Sequence, residues 1–188
     1  MSKIDLSPLV NGMSGKAGNS VLRRIGNRTI LTSKPKARTS EPTAKEKAHQ
    51  ERFKRAAAYA KAKMADPLAK AEYQQVALQK ELGNVFAIAV KDFLKPPTID
   101  AIKTDMYTGK VNDMIIIRAF DDFKVVSVKV SIILPNGTAH ENGSATYDAS
   151  TLVWKYTATK ANATLAGTKI SVIAIDMPAN ETMGEKVI

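Results

Sequence analysis

The sequence predicts an α+β protein in two parts, a basic β-hairpin with about three α-helices followed by an Ig-like antiparallel β-sandwich. The charge is one-sided, since residues 1–95 hold 19 Lys and Arg against 8 Asp and Glu, and residues 96–188 hold 9 against 10. The apolar period changes after residue 95 from the spacing of helices to the alternation of strands. Pro96-Pro97 stands at this change and marks a boundary. The regions that we predict are a glycine-containing arm and hairpin at 1–38, a helical region at 39–95 and the sandwich at 98–188.

The hairpin is predicted from VLRRIGNRTILTS, which occupies residues 21–33. Two β-prone runs flank Gly26-Asn27, a pair that tolerates the positive φ of a tight turn. Lys34-Pro35-Lys36 should end the hairpin, because proline cannot donate a hydrogen bond to a sheet.

Start and stop signals predict the helices. Thr43-Ala44-Lys45-Glu46 fits a capping box that opens a helix reaching about Met64. Asp66-Pro67 starts a second helix, and Gly83-Asn84 follows its end near Leu82. The run VFAIAVKDFL at 85–94 reads as a third, more buried helix. The side chains that we expect on the inward faces of the first and third helices are Phe53, Ala56, Ala57, Ala60, Met64, Phe86, Val90 and Phe93.

After residue 98 the pattern is that of short strands separated by turns. Val126, Val128, Val130 and Ile132 alternate along one predicted strand and form one apolar face, with Trp154 as a core anchor opposite. Seven such strands in about 90 residues are typical of a β-sandwich. The predicted strands span residues 99–102, 113–120, 124–134, 138–147, 151–158, 167–175 and 183–188.

Three segments of this half carry a family resemblance: AFDDF at 119–123 leading into VSVKV, WKYTA at 154–158 and AIDMPAN at 174–180. With them, the chain from Ile99 onward resembles bacterial Ig-like domains, which are modules of surface and phage-associated proteins. Ala179 stands where the family ending has glycine. The first half resembles small bacterial proteins of unknown function and implies no mechanism.

The basic arm is the predicted partner-binding site. Seven cations lie within 23 residues that contain no acid. Such a surface suits an acidic protein or sister subunit, a phosphate backbone bound without sequence preference, or simply solvent. The stretch holds no aromatic residue on which bases could stack. The residues are Lys16, Arg23, Arg24, Arg28, Lys34, Lys36 and Arg38.

One group of oxygen-bearing side chains is a candidate metal site. Asp121 and Asp122 follow the second predicted strand of the sandwich, and Asp176 and Asn180 precede the last. In an Ig-type sandwich these two loops lie at the same end, and oxygen ligands suit Ca²⁺. The same residues also cap turns by bonding their own backbone. Both interpretations stay open, and no other cofactor is predicted.

No catalytic constellation appears, and the chain has no cysteine. We therefore predict a non-enzymatic structural or assembly subunit without a small-molecule substrate. It would dock through its basic N-terminal region onto sister subunits or a larger particle and present the Ig-like domain. The alternative is an accessory protein that binds nucleic acid nonspecifically with the same arm.

The predicted location follows from two patterns. The first 20 residues lack the apolar run of a secretion signal, and no stretch is apolar over a membrane-spanning length. We expect synthesis in the cytoplasm and no membrane span. The sequence leaves the final location open, and an extracellular or phage-like particle is one alternative.

Overall fold

The computed structural model describes residues 14–25, 28–37, 39–80 and 83–188. It contains three α-helices and two antiparallel sheets, so the predicted α+β class is confirmed. The chain divides into two compact units, Met1–Thr43 and Ala44–Ile188. Pro96-Pro97, where we expected a boundary, lies inside the second unit, between the last helix and the first strand of the larger sheet.

The first unit holds a three-stranded antiparallel sheet. Its strands are β1 (Gly15–Ala17), β2 (Ser20–Ile25) and β3 (Arg28–Ser33), in the order β1-β2-β3. The predicted turn at Gly26-Asn27 lies outside the described residues. Every residue of this unit whose burial is described is exposed or half-buried. The described part of the sheet therefore has no buried core.

The second unit begins with the three helices α1 (Ala44–Ala65), α2 (Pro67–Gln79) and α3 (Val85–Leu94). Asp66 caps α2 by accepting a hydrogen bond from the Leu68 amide at 3.0 Å, and Asn84 caps α3. Within the described parts of the chain, no helix is long and apolar enough to cross a membrane. The buried helical cluster consists mostly of small side chains, namely Ala56, Ala60, Tyr73, Ala77, Ile88, Ala89 and Val90.

Two inward-facing positions were predicted wrongly. Phe53 is 50% exposed and Phe86 is 40% exposed. The end of α3 lies beside Arg52, whose guanidinium donates to the Leu94 carbonyl at 2.6 Å. Because α3 has 10 residues and α1 has 22, α3 can cover only part of α1.

A seven-stranded antiparallel sheet forms the rest of the second unit, and its strands lie where the alternating pattern predicts them. The order is β10-β9-β6-β7-β8-β5-β4. The edge strands β4 and β10 lie beside one another, so the sheet is nearly closed around its core. The strands are β4 (Thr98–Lys103), β5 (Met114–Phe120), β6 (Val125–Ile133), β7 (Ala139–Asp148), β8 (Val153–Thr157), β9 (Lys169–Asp176) and β10 (Glu181–Val187).

The alternation along β6 contains one irregularity. Val128, Val130 and Ile132 are buried as predicted, but Val126 is 49% exposed. The pairing with β9 shifts by one residue between Val125 and Ser127. Such a bulge moves the side chains before it to the opposite face, and Val125 packs against the core in place of Val126.

Candidate functional site

The predicted basic residues lie in or just after the small N-terminal sheet. Lys16 is exposed on β1, Arg23 and Arg24 are exposed on β2, and Lys34 and Lys36 are exposed after β3. The backbone of Arg28 pairs with Ile25, while Arg38 lies outside the described residues. The first unit as a whole holds 8 Lys and Arg against 2 Asp and Glu. Its charge is therefore strongly positive.

Apolar side chains accompany the cations on this sheet. Arg23 lies opposite Ile30, and Leu22 lies opposite Leu31, in the β2–β3 pairing. Because adjacent residues of a strand point to opposite faces, Ile30 and Leu31 lie on different faces of the sheet. They are 42% and 41% exposed. Each face therefore offers apolar surface as well as positive charge.

A second candidate site is a cluster of three carboxylates in the second unit, which we call the aspartate cluster. It consists of Asp92 on α3, Asp121 directly after β5 and Asp176 at the end of β9. One oxygen from each side chain lies within 4.8 Å of the others. Asp92 and Asp176 are 1% and 2% exposed. Two members of the cluster are thus buried where the helices meet the larger sheet, and Asp121 is half-buried.

Turn geometry holds two members of the cluster in place. Asp121 Oδ2 accepts from the Phe123 and Lys124 amides at 2.9 and 3.3 Å. Asp176 accepts from the backbone amide of Asn180 at 2.6 Å and from its side-chain amide at 2.7 Å. The Asn180 side chain also donates to the Phe93 carbonyl at 3.2 Å, which links this turn to α3.

A chain of tyrosine hydroxyls reaches the third member. Tyr73, with no exposed surface, donates to Asp92 Oδ2 at 2.5 Å, and its hydroxyl oxygen lies 3.0 Å from that of Tyr59. The Tyr73 ring stacks on Phe123 with 4.1 Å between centroids. The other oxygen of Asp92 and Oδ1 of Asp121 are buried without a hydrogen-bond partner. Each of these two aspartates thus keeps one uncommitted oxygen.

The electrostatics of the cluster are those of uncompensated negative charge. Burial raises the pKa of Asp92 to about 7, against the opposing hydrogen bond from Tyr73. The charge of Asp121 and its close side-chain approach to Asp92 raise this pKa further. Burial also raises the pKa of Asp176, against the hydrogen bonds from Asn180. Among the described residues, no Lys or Arg forms an ion pair with any of the three aspartates.

Only two of the four predicted metal-site residues belong to the aspartate cluster. Asp121 and Asp176 come together, whereas Asn180 turns its amide nitrogen toward Asp176. Asp122 lies 2.9 Å from Lys91 Nζ and 3.0 Å from Lys95 Nζ, and these two lysines lower its pKa. Asp122 therefore belongs to a lysine-paired surface site next to the cluster.

Asp92 is the member that sequence reasoning missed. A signal for it exists, because it is the one acid in the run VFAIAVKDFL, whose other residues are apolar except for Lys91. It follows Ile88 by four residues and Ala89 by three, so helical spacing places it on the same face as these buried side chains. A carboxylate on the buried face of a helix indicates a site that must compensate its charge.

Comparison of the chain with protein-family models, with curated protein sequences and with solved structures gives no match. Any functional interpretation therefore depends on the geometry of the basic sheet and of the aspartate cluster.

Proposed function

We propose that this chain is a non-enzymatic structural subunit that docks through its basic N-terminal sheet onto a second copy of the chain, building a larger assembly. The main observation is that no residue of β1–β3 whose burial is described is buried. A small sheet is independently stable in water only when it has a hydrophobic face to bury or packs against another element. Ile30 and Leu31 remain substantially exposed, so this sheet needs a surface to cover it.

The edges of the small sheet support docking by strand addition. In the order β1-β2-β3, the outer strands each have one edge without a partner among the described strands. Such an edge presents amide and carbonyl groups that can pair with a strand of another molecule. Backbone pairing would give affinity, and the alternating side chains would give specificity.

The chain also carries a surface that complements the basic sheet. Along β10, the exposed positions alternate between acid and apolar side chains: Glu181, Met183, Glu185 and Val187. Met183 and Val187 are each 62% exposed. Arg23 and Ile30 offer positive charge and apolar surface at neighbouring positions of one face. The β10 face of a second copy therefore matches the arm in charge and in apolar character.

We propose further that the larger sheet is an Ig-like sandwich, which the assembly would present outward. Strands β4, β5 and β8 pair with one another, and β10, β9, β6 and β7 pair in a second group. Lettered in chain order, these groups correspond to A-B-E and G-F-C-C′ of Ig-type domains. Strand β7 joins them, since residues 139–145 pair with β6 and residues 146–148 pair with β8.

The test is the mass of the intact chain in solution, measured by light scattering over a wide range of concentration. We expect concentration-dependent association that the double substitution Arg23→Glu with Ile30→Asp abolishes. Lys61→Glu, a charge reversal on the exposed side of α1, is the matched control and should associate normally. Fluorescence of Trp154, buried in the second unit, should be the same in all three proteins.

A charge swap tests the proposed partner surface. Chains with Arg23→Glu and chains with Glu181→Lys should each associate weakly alone and recover association when mixed, because each supplies the complement of the other. A strictly monomeric wild-type chain at every concentration would overturn self-assembly. Binding of DNA or RNA by that monomer would favour the nucleic-acid alternative. On duplex DNA, the logarithm of the binding constant should then fall with the logarithm of the salt concentration, with a slope of about 0.9 per phosphate contact.

A further inference from the structure

We propose that Asp92, Asp121 and Asp176 form a binding site for Ca²⁺. This inference concerns the second unit and is independent of the docking function proposed for the basic sheet. It depends on the approach of the three carboxylates and, separately, on buried oxygens that lack any partner.

The uncommitted oxygens point to a ligand. Asp92 is only 1% exposed, yet its Oδ1 atom accepts no hydrogen bond. The Oδ1 atom of Asp121 is also buried and accepts none. Buried polar atoms are nearly always satisfied, and an unsatisfied one calls for a specific explanation such as an ion. Oδ2 of Asp92 accepts a hydrogen bond from the Tyr73 hydroxyl, and Oδ2 of Asp121 accepts one from the Phe123 amide. The remaining oxygens are left for a shared occupant.

The charge of the cluster favours the same kind of occupant. Taking an unpaired carboxylate out of water costs several kcal/mol, and this site gathers three carboxylates. Nearby cations are engaged elsewhere, since Lys91 and Lys95 pair with Asp122. A divalent cation would neutralise most of the charge and complete the unsatisfied oxygens at once.

Ligand chemistry and spacing favour Ca²⁺. The cluster offers only oxygen ligands, which hard cations prefer. Zinc sites usually contain Cys or His as well. The ligand oxygens all lie within 4.8 Å of one another, which is close enough for one ion to contact all three. Ca²⁺ accepts carboxylates in flexible geometry, whereas Mg²⁺ demands near-ideal octahedral geometry and usually keeps several waters. A site of three carboxylates from three separate elements therefore favours Ca²⁺.

Binding would join three parts of the fold. Asp92 belongs to α3, Asp121 to the turn between β5 and β6, and Asp176 to the end of β9. One ion on all three would fasten the helices to the larger sheet. Calcium should therefore stabilise the second unit as a whole.

The experiment uses the full chain, treated with a chelator and then titrated with CaCl₂. Calorimetry should detect binding, and the melting temperature should rise by about 5–11 °C when free Ca²⁺ is about 100-fold above Kd. Asp121→Asn should abolish both responses. The matched control is Asp122→Asn, which removes the neighbouring carboxylate and should keep both responses. MgCl₂ should give a smaller shift than CaCl₂.

The Asp121→Asn chain provides its own folding check. Without calcium it should melt no lower than wild type, because the substitution removes one of three repelling charges. Should it melt lower, Asp92→Asn replaces it, since the asparagine oxygen can still accept from Tyr73. Absence of heat and of any melting shift in the wild type would overturn the proposal. Equal loss of response in Asp122→Asn and Asp121→Asn would overturn it as well.

Discussion

Two buried tyrosines should differ strongly in how much stability the chain loses when each hydroxyl group is removed. The Tyr73 hydroxyl donates to Asp92 at 2.5 Å and lies 3.0 Å from the Tyr59 hydroxyl. The buried Tyr107 hydroxyl has no hydrogen bond of normal geometry, although an interaction with the Asn162 side chain lowers its pKa against the effect of burial. Tyr73 is 0% exposed and Tyr107 is 4% exposed, so both rings are core residues. Phenylalanine keeps each ring and removes only the oxygen. The pair thus isolates the hydrogen bonds from the packing.

The expected magnitude for Tyr73→Phe follows from the bonds lost. A hydrogen bond to a charged group contributes about 1.5–3 kcal/mol, and one between neutral groups about 0.5–1.5 kcal/mol. The stacking of the ring on Phe123 is retained. We expect the free energy of unfolding to fall by about 3 kcal/mol, which corresponds to a decrease in Tm of about 6–12 °C. Tyr107→Phe should change it by less than about 0.5 kcal/mol, or raise it.

Urea unfolding followed by tryptophan fluorescence measures both variants. The chain has a single tryptophan, Trp154, which is 7% exposed in the core of the larger sheet. Its signal reports the unit in which both tyrosines lie. Equal unfolding free energies for Tyr73→Phe and Tyr107→Phe, within about 0.5 kcal/mol, would refute the hydrogen-bond chain leading to the aspartate cluster.

Three further substitutions test the larger sheet. Burial raises the pKa of Glu141, but hydrogen bonds from Tyr156 and other donors outweigh burial and lower that pKa overall. The Glu141 carboxylate therefore stabilises the fold at pH values above its ordinary pKa. In urea unfolding, the stability advantage of wild type over Glu141→Gln should shrink as the pH falls from about 6 to about 3. A pH-independent difference would contradict this. Ala179 has a φ of 66°, so Ala179→Gly should stabilise the chain by about 0.5–1 kcal/mol in thermal melts, and a lower Tm would contradict the strain. Gly143→Ala would place a Cβ 2.8 Å from the Tyr156 ring and should destabilise by about 1–3 kcal/mol, while Gly83→Ala, into open space, should not.

Local signals account for the elements that the sequence predicts well. Asp66-Pro67 starts α2 because the aspartate side chain accepts from an amide two residues away, and proline lacks the hydrogen that a first helical turn leaves unbonded. The strands of the larger sheet follow from alternation, which needs only near neighbours. Such interactions span only a few residues and can therefore be predicted from the sequence.

Features that depend on distant partners were not predictable in the same way. Val126 alternates correctly with Val128, yet a bulge that forms only against β9 exposes it. Phe53 has the right helical spacing, but the length of α3 decides what covers it. Neither outcome is encoded in the residues that immediately surround the side chain.

The aspartate cluster shows the division most clearly. The sequence by itself determined that Asp121 and Asp176 would stand in turns at strand ends, because strand alternation stops beside each of them. Only the tertiary structure brought Asp92 to them from α3, and only pairing with Lys91 and Lys95 separated Asp122 from the group. Local backbone preference acts over a few residues, whereas the meeting of buried charges depends on how a helix packs on a sheet, and that packing is a property of the whole unit.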